Sequence, residues 1–348
     1  MKKFLALLLA LTMALALVAC GGGSDSGDTG AGTTGGDSES GFEPMTWKFA
    51  CSATETSPWV DGAKEFARIV GEKTGGAITV QYYPADQLTA GSQTDGIQAL
   101  MDGTTELSMH SNLIWSSFDQ RFNVVSLPFL FDSTEEADAA LDGAGGQALG
   151  EILENEYNVH LLGIAENGFR HITNSKHAVT SLADMENLKI RVAGSQLLNR
   201  AYELWGADYT NANWSEVFTA LQTGTYDGQE NPLPTADAAS IQEVQSYLTY
   251  WTGAYDCLFF CMNAELYNSL SPELQAIVDE AGQEACVYER ELNRSQDQEI
   301  MDKWAEAGVE VTELSADAAA EFAEASAPVY DEFADELTPE LIEAFTSV

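Results

Sequence analysis

Asn213-Trp214-Ser215-Glu216-Val217-Phe218-Thr219-Ala220-Leu221-Gln222-Thr223-Gly224-Thr225-Tyr226-Asp227-Gly228-Gln229-Glu230-Asn231-Pro232 is the stretch on which the reading of this chain turns. Its first half predicts a helix. Asn213 is a good N-cap residue, and Glu216 three positions later completes a capping box. Val217, Ala220 and Leu221 share one face, and Gly224 supplies the left-handed stop. The second half predicts no helix: Gly228 breaks it, and Pro232 pushes Asn231 into an extended conformation. The expectation is a capped helix that delivers a polar Gln-Glu-Asn loop to a fixed place.

Working outward, apolar residues alternate with period two or recur at helical spacing in a regular series. Thr46–Cys51 and Ala77–Tyr83 read as strands around a helix carrying Val60, Ala63, Phe66, Ala67 and Val70, which ends at Gly75-Gly76. A helix near 92–101, a strand at 106–110, a capped helix from Ser133 to about Leu153 and a strand at 159–164 follow. The series β-α-β-α-β predicts an α/β fold with helices covering a largely parallel sheet. After Glu166 it restarts, with strands at 169–173 and 188–192, helices at 195–204 and 215–223, and strand-like runs between Tyr247 and Met262. A long helical region runs from Ser271-Pro272 to about Ala307, and another fills Ser315 to the end. One echo links the halves. Ala99-Leu100-Met101-Asp102-Gly103-Thr104-Thr105-Glu106 and Ala220-Leu221-Gln222-Thr223-Gly224-Thr225-Tyr226-Asp227 both read Ala-Leu-x-x-Gly-Thr-x-acid.

The chain's start reads as an export signal over residues 1–19. Lys2 and Lys3 precede an apolar run from Phe4 to Leu17, too short to favour a spanning helix. Leu17-Val18-Ala19-Cys20 resembles a bacterial lipobox, which makes Cys20 the expected lipidated residue. Residues 20–43 are Gly, Ser, Thr and Asp with few apolar side chains, the composition of a flexible tether. The formal charge of -40 excludes nucleic acid as a partner and argues against a basic patch as the membrane attachment. Cys51, Cys257, Cys261 and Cys286 either include one disulfide or sit as small buried hydrophobes, and their spacing gives no metal set.

No catalytic motif is present: there is no Gly-x-Ser-x-Gly elbow, His-Glu-x-x-His or P-loop, and His110, His160, His171 and His177 lack triad or ligand spacing. Neither a cofactor nor a metal is expected. Arginine is informative because it is scarce. Arg68, Arg200, Arg290 and Arg294 fall on predicted helices and read as solvated. Arg170 and Arg191 fall on strands. Leu188, Ile190 and Val192 share the core face, so Lys189 and Arg191 point the other way. Either these two arginines pair with some of the abundant acid, or they clamp an anion, for which a planar, permanently charged fork is suited. Asn231 offers a donor and an acceptor, and Trp214 a pocket floor, although a turn Asn and a core Trp are equally ordinary readings. Trp115 and Trp251 read as core.

Asn167-Gly168-Phe169-Arg170-His171-Ile172-Thr173-Asn174, then Ser181-Leu182-Ala183-Asp184-Met185-Glu186-Asn187-Leu188-Lys189-Ile190-Arg191-Val192, then Trp214 through Pro232 occur in order. Together with Tyr83-Pro84, Gln87-Leu88 and Leu127-Pro128-Phe129 they resemble the substrate-binding subunits of tripartite ATP-independent periplasmic (TRAP) transporters of the DctP type, from Trp47 to the C-terminal helices. The resemblance implies a two-lobed Venus-flytrap fold of the periplasmic-binding-protein kind, with strands crossing between lobes and a long bracing helix. The expected division is 44–166 with 257–296, and 167–256 with 297–348. It further implies that Arg191 pairs with a ligand carboxylate, that Arg170 supports it and that Asn231 contacts the ligand. Trp214, Thr56 and Asn112 complete the candidate set. Sialic-acid-binding members carry a glutamate where His110-Ser111-Asn112 stands, which argues against that ligand. The resulting expectation is a lipid-anchored, extracytoplasmic receptor that hands a sugar acid or short dicarboxylate to TRAP membrane subunits. An ABC importer or a sensor can use the same fold. An anchored hydrolase would need a nucleophile with a base, which the sequence does not offer.

Overall fold

Two parallel three-stranded units of the same topology organise the computed structural model, which describes residues 41–347. The strands are β1 (Met45–Cys51), β2 (Ile78–Tyr83), β3 (Leu107–Ser111), β4 (Val159–Phe169), β5 (His171–Asn174), β6 (Lys189–Val192), β7 (Asp208–Asn211), β8 (Gly228–Asn231), β9 (Tyr247–Tyr250), β10 (Tyr255–Asn263) and β11 (Glu310–Glu313). They form a five-stranded sheet in the order β2-β1-β3-β10-β4 and a six-stranded sheet in the order β11-β9-β5-β8-β6-β7. In the first, β1 lies parallel to β2 and β3. In the second, β6 lies parallel to β7 and β8. In each, the next strand, β10 or β5, is antiparallel. The sheets are therefore mixed rather than largely parallel. A β-α-β-α-β pattern specifies only the parallel unit, and the antiparallel strands come from the crossings described below.

The eight-residue echo marks the same place in both units. Gly103 (φ +70°) ends helix Gln93–Met101, and Gly224 (φ +71°) ends helix Trp214–Gln222. The bond from Thr104 N to Ala99 O (2.8 Å) is matched by that from Thr225 N to Ala220 O (2.9 Å). Each turn releases the carbonyls of a nine-residue helix and starts the third strand of its unit.

Only Arg170 separates β4 from β5, so one extended run passes from the first sheet into the second. The chain returns through residues 251–254, between β9 and β10. Arg170 N donates to Ala254 O (2.9 Å), tying the two crossings together. Helix Pro272–Ser295 braces them. Arg290 donates to Ile164 O (2.9 Å from Nε), and Arg294 to Glu166 (2.8 Å from Nε) and Asp138. Arg290 and Arg294 were expected to be solvated. They are instead buried or half-buried in ion pairs, because the acid that neutralises them comes from a helix some 150 positions away in the chain.

The cores follow the sheets. Trp47, Phe49, Phe66 and Phe260 pack beneath the five-stranded sheet, with Phe66 and Phe260 edge to face at 5.1 Å. A second cluster joins Trp205, Trp251 and Phe322. Helix Pro339–Thr346 closes that cluster by setting Phe345 against Phe131. Cys51, Cys257, Cys261 and Cys286 are all free and buried, with thiols raised by burial, so they serve as small apolar residues. The long helical regions are interrupted: Thr134–Leu141 and Ala144–Glu156 are separate helices, as are Pro272–Ser295 and Asp297–Glu306. Among the described residues no helix is long and apolar enough to cross a membrane. The export signal and Cys20 lie outside the described residues.

Candidate functional site

The carboxyl ends of the two parallel units face a common cavity. The units contribute residues in equivalent positions. Ser52 follows β1, and Ala193 follows β6. Gln93 and Trp214 each open the helix before the third strand. Ser111 and Asn231 end those third strands. This is where open α/β sheets place ligands, since strand ends leave polar backbone and short loops exposed to one crevice.

The Gln-Glu-Asn segment reaches this place as a strand, not as a loop. Gly228–Asn231 is β8, wholly buried and paired on both edges with β5 and β6. Its polar side chains are tolerated because each finds a partner. Gln229 Nε2 donates to Thr173 Oγ1 (3.0 Å), Glu230 receives Arg170 and the backbone of Ala193 (2.9 Å), and Asn231 Nδ2 donates to Gln229 Oε1 (2.9 Å). Helix Trp214–Gln222 is as expected, but Asn213 makes no side-chain cap. The N-terminal Trp214 N–H is instead received by Gln93 Oε1 at 3.2 Å, from the other parallel unit.

The two strand arginines have different surroundings. Arg170 is buried with Glu230 along one edge of its guanidinium and Asp256 at the other, and it also donates to Glu230 O (2.8 Å). Burial opposes its charge, but the two carboxylates outweigh burial and raise its pKa. Asp256 is held by Ser111 Oγ (2.7 Å) and Asn167 Nδ2 (2.6 Å) as well. Burial still raises its pKa against the pull of Arg170. Arg191 is equally buried, but its partners among the described residues are neutral. Nε and Nη2 donate to Ala212 O at 3.0 and 2.6 Å, and the guanidinium lies 5.6 Å from the centre of the Trp214 ring. Among the described residues no carboxylate pairs with it. Burial lowers its pKa to about 10, partly offset by the more distant Glu230. A desolvated guanidinium stacked on an indole and lacking an anion is an unfinished ion pair that lines a cavity.

Of the sequence candidates, Arg170, Arg191, Trp214 and Asn231 line the cavity. Thr56 is exposed and is not part of the lining. Asn112 is fully buried outside it, with Nδ2 on Phe122 O (2.9 Å) and Oδ1 accepting from Cys257 N (3.0 Å), so it fastens a core loop and has no amide group left to offer. Residues that pattern reading missed are Gln93, Asn167, Thr235 and Asp256. Gln93 carried a signal, since it occupies in the first unit the position of Trp214 in the second. No group of three or more His, Cys, Asp or Glu side chains able to hold a metal occurs among the described residues.

The DctP family profile, bacterial extracellular solute-binding protein, family 7, matches residues 49–337. The 2,3-diketo-L-gulonate-binding periplasmic protein YiaO of Escherichia coli (strain K12) is 32% identical over 274 residues, covering 79% of this chain and 83% of that protein. The sugar acid binding protein DctPAm of Advenella mimigardefordensis, solved with galactonate, superposes with a TM-score of 0.84 at 29% identity, over 88% of this chain and 97% of that one. A TRAP periplasmic solute binding protein from Shewanella oneidensis, solved with succinate, gives a TM-score of 0.82 at 25% identity, over 87% and 99%.

Proposed function

The chain belongs to the DctP family of TRAP-transporter solute-binding proteins, and from that membership we propose that it captures a small organic acid, a sugar acid ahead of a short dicarboxylate. It is a binding protein, not an enzyme. The observation that carries the ligand class is Arg191: a buried cation on the cavity wall whose hydrogen-bond acceptor among the described residues is a backbone carbonyl. A ligand carboxylate supplies the missing charge and takes the fork geometry that Arg offers. Asn231 stands beside it as donor and acceptor, Trp214 gives an apolar face, and Ser52, Gln93, Asn167 and Thr235 suit hydroxyl groups. Relatives that bind a diketo-gulonate and galactonate support the sugar-acid side of this reading, and the succinate-bound relative supports the dicarboxylate side.

In the remainder of the proposal, Cys20 anchors the protein through lipid, the two sheets form lobes that close on the ligand, and the loaded form is handed to TRAP membrane subunits. Thermal-shift screening against an organic-acid library tests the capture step, since a ligand at about 100 times its Kd adds about 2.7 kcal/mol. Stabilisation by carboxylates that is lost in Arg191→Ala supports the reading. Equal stabilisation by neutral sugars overturns it. For the anchor, Cys20→Ser is expected to leave the membrane fraction, and unchanged retention removes the lipid from the account.

A further inference from the structure

The cavity has two walls of opposite character. The six-stranded sheet and the helix that starts at Trp214 contribute Arg191, Trp214 and Asn231, and the free electrostatic valence of this wall is cationic. The five-stranded sheet contributes Ser111 from β3, Asn167 from β4 and Asp256 from β10. Every hydrogen bond recorded at Asp256 runs inward: Ser111 Oγ donates at 2.7 Å, Asn167 Nδ2 at 2.6 Å, and Arg170 also donates. Three donors converging on one carboxyl group are the surroundings of an ionised acceptor, because a protonated acid has to give one bond away. Asp256 lines the cavity with a fully buried side chain whose two oxygens are already taken, so it acts on the ligand space through its charge.

Asp256 changes what the cavity can hold in two ways. It occupies the guanidinium edge of Arg170 that Glu230 leaves open, so Arg170 has no vacant fork to offer a second ligand carboxylate. It also sets the charge: Glu230 and Asp256 both pair with Arg170, so that cluster is net negative and supplies no ion pair to Arg191. One ligand carboxylate completes the pair with Arg191. A second would enter a desolvated space with no cation left and an anion in its wall, the arrangement that most strongly rejects a competitor.

We infer that Asp256 is the specificity-determining residue of this site, its buried charge excluding a second carboxylate from the wall built by the five-stranded sheet. The inference rests on the reading of Arg191 as carboxylate clamp and adds a selectivity to it: a singly charged polyhydroxy acid is held, and its dicarboxylate counterpart is refused.

The test uses ligand pairs that share a skeleton and differ by one charge: galactonate against galactarate, and succinamate against succinate, each titrated calorimetrically into the whole mature protein. The singly charged member of whichever pair binds is expected to be tighter by about tenfold or more. Asp256→Asn keeps the shape and removes the charge, so that ratio is expected to fall at least about tenfold, with the dicarboxylate gaining. Equal or tighter binding of the dicarboxylate by the parent protein overturns the inference, and this arm does not depend on the variant folding. A parent preference that Asp256→Asn leaves intact overturns it too, by placing the discrimination elsewhere. Arg191→Ala separates this from the underlying reading. Loss of all carboxylate binding there, with no change of selectivity in Asp256→Asn, removes the role of Asp256 and leaves the clamp standing. Undiminished binding in Arg191→Ala removes both.

Discussion

Arg170 and Arg191 line the same cavity and are buried to the same degree, yet they are different devices. Arg170 sits on the single residue between β4 and β5, with two carboxylates around it. Arg191 sits on β6 with a backbone carbonyl and an indole. The first is a closed network that fixes where the chain crosses from sheet to sheet. The second is open: among the described residues no carboxylate pairs with it, and its desolvation is only partly offset by the more distant Glu230. The difference teaches that the residue type on a strand does not assign a role; what decides is whether the fold itself supplies the counter-charge.

The sharpest way to break the comparison is to remove the closed member. Arg170→Ala leaves Glu230 and Asp256 buried without their cation, and the expected loss of folding stability is about 3–5 kcal/mol. Urea unfolding checks it, and a loss no larger than that of a surface arginine such as Arg68 would show the network to be unimportant. Removal of the open member is expected to act on binding instead. Arg191→Ala costs about 2–5 kcal/mol of ligand affinity, with folding stability of the ligand-free protein unchanged or raised, because an uncompensated buried cation is gone. Arg191→Lys keeps the charge without the fork and is expected to recover only part of that affinity. Calorimetry and unfolding on the same preparations separate the two effects.

How much of this was legible in sequence follows from the same distinction. Local pattern located the elements, and the face alternation of Leu188-Lys189-Ile190-Arg191-Val192 correctly set Arg191 opposite the core. Eight echoed residues pointed to what proves to be a repeated three-stranded unit, because the Gly stop and the following strand are local chemistry. The pairing of Arg170 was not legible. Its partners Glu230 and Asp256 lie 60 and 86 residues away, and among 55 acidic residues none is marked as the counter-charge. For the same reason Gly228–Asn231 read as a polar loop. A buried strand of Gln, Glu and Asn is stable only because Thr173 and Arg170 arrive from β5 and the crossing beside it. Thr56 and Asn112 fall outside the cavity lining for the converse reason: their chemistry suits a ligand, but only tertiary packing shows that one is at the surface and the other fully bonded.

A third experiment sharpens the comparison through pH. His171, next to Arg170, is buried, stacks on Tyr250 at 4.2 Å and accepts the Trp251 N–H through Nδ1 (3.3 Å). Burial first, and the charge of Arg170 after it, lower its pKa to about 3. The unfolded imidazole titrates near 6.5, so between about pH 6.5 and pH 3 the unfolded state binds the extra proton. The stability that the neutral imidazole allows is complete above pH 6.5 and declines as pH falls through that window. At pH 5 the expected loss relative to pH 8 is about 2 kcal/mol from this one group. Urea midpoints of the parent and of His171→Phe across pH 4 to 8 read it out, and parallel curves would remove His171 from the acid limb.

The smallest expected effect concerns what holds the open arginine in a closed cavity. Two bonds join the repeated units at the starts of the equivalent helices, Trp214 N to Gln93 Oε1 (3.2 Å) and Ser215 Oγ to Gly91 O (3.1 Å). Both come from the N-terminal ends of the equivalent helices, so the helix whose ring lies against Arg191 is also the one latched to the opposite unit. Gly91 is at φ +89°, and a Cβ there would stand 2.6 Å from Ser215 Oγ. Gly91→Ala therefore strains the turn and pushes the latch apart, with a cost of about 1–2 kcal/mol. Because Gly91 does not line the cavity, that cost is expected in the lifetime of the closed complex, as dissociation faster by about tenfold with association little altered. Ser215→Ala relieves the clash while losing one weak bond, so Gly91→Ala combined with Ser215→Ala is expected to recover part of the lifetime. Stopped-flow dissociation of a bound acid measures both, and an unchanged rate in Gly91→Ala would place the closing contacts elsewhere on the rim.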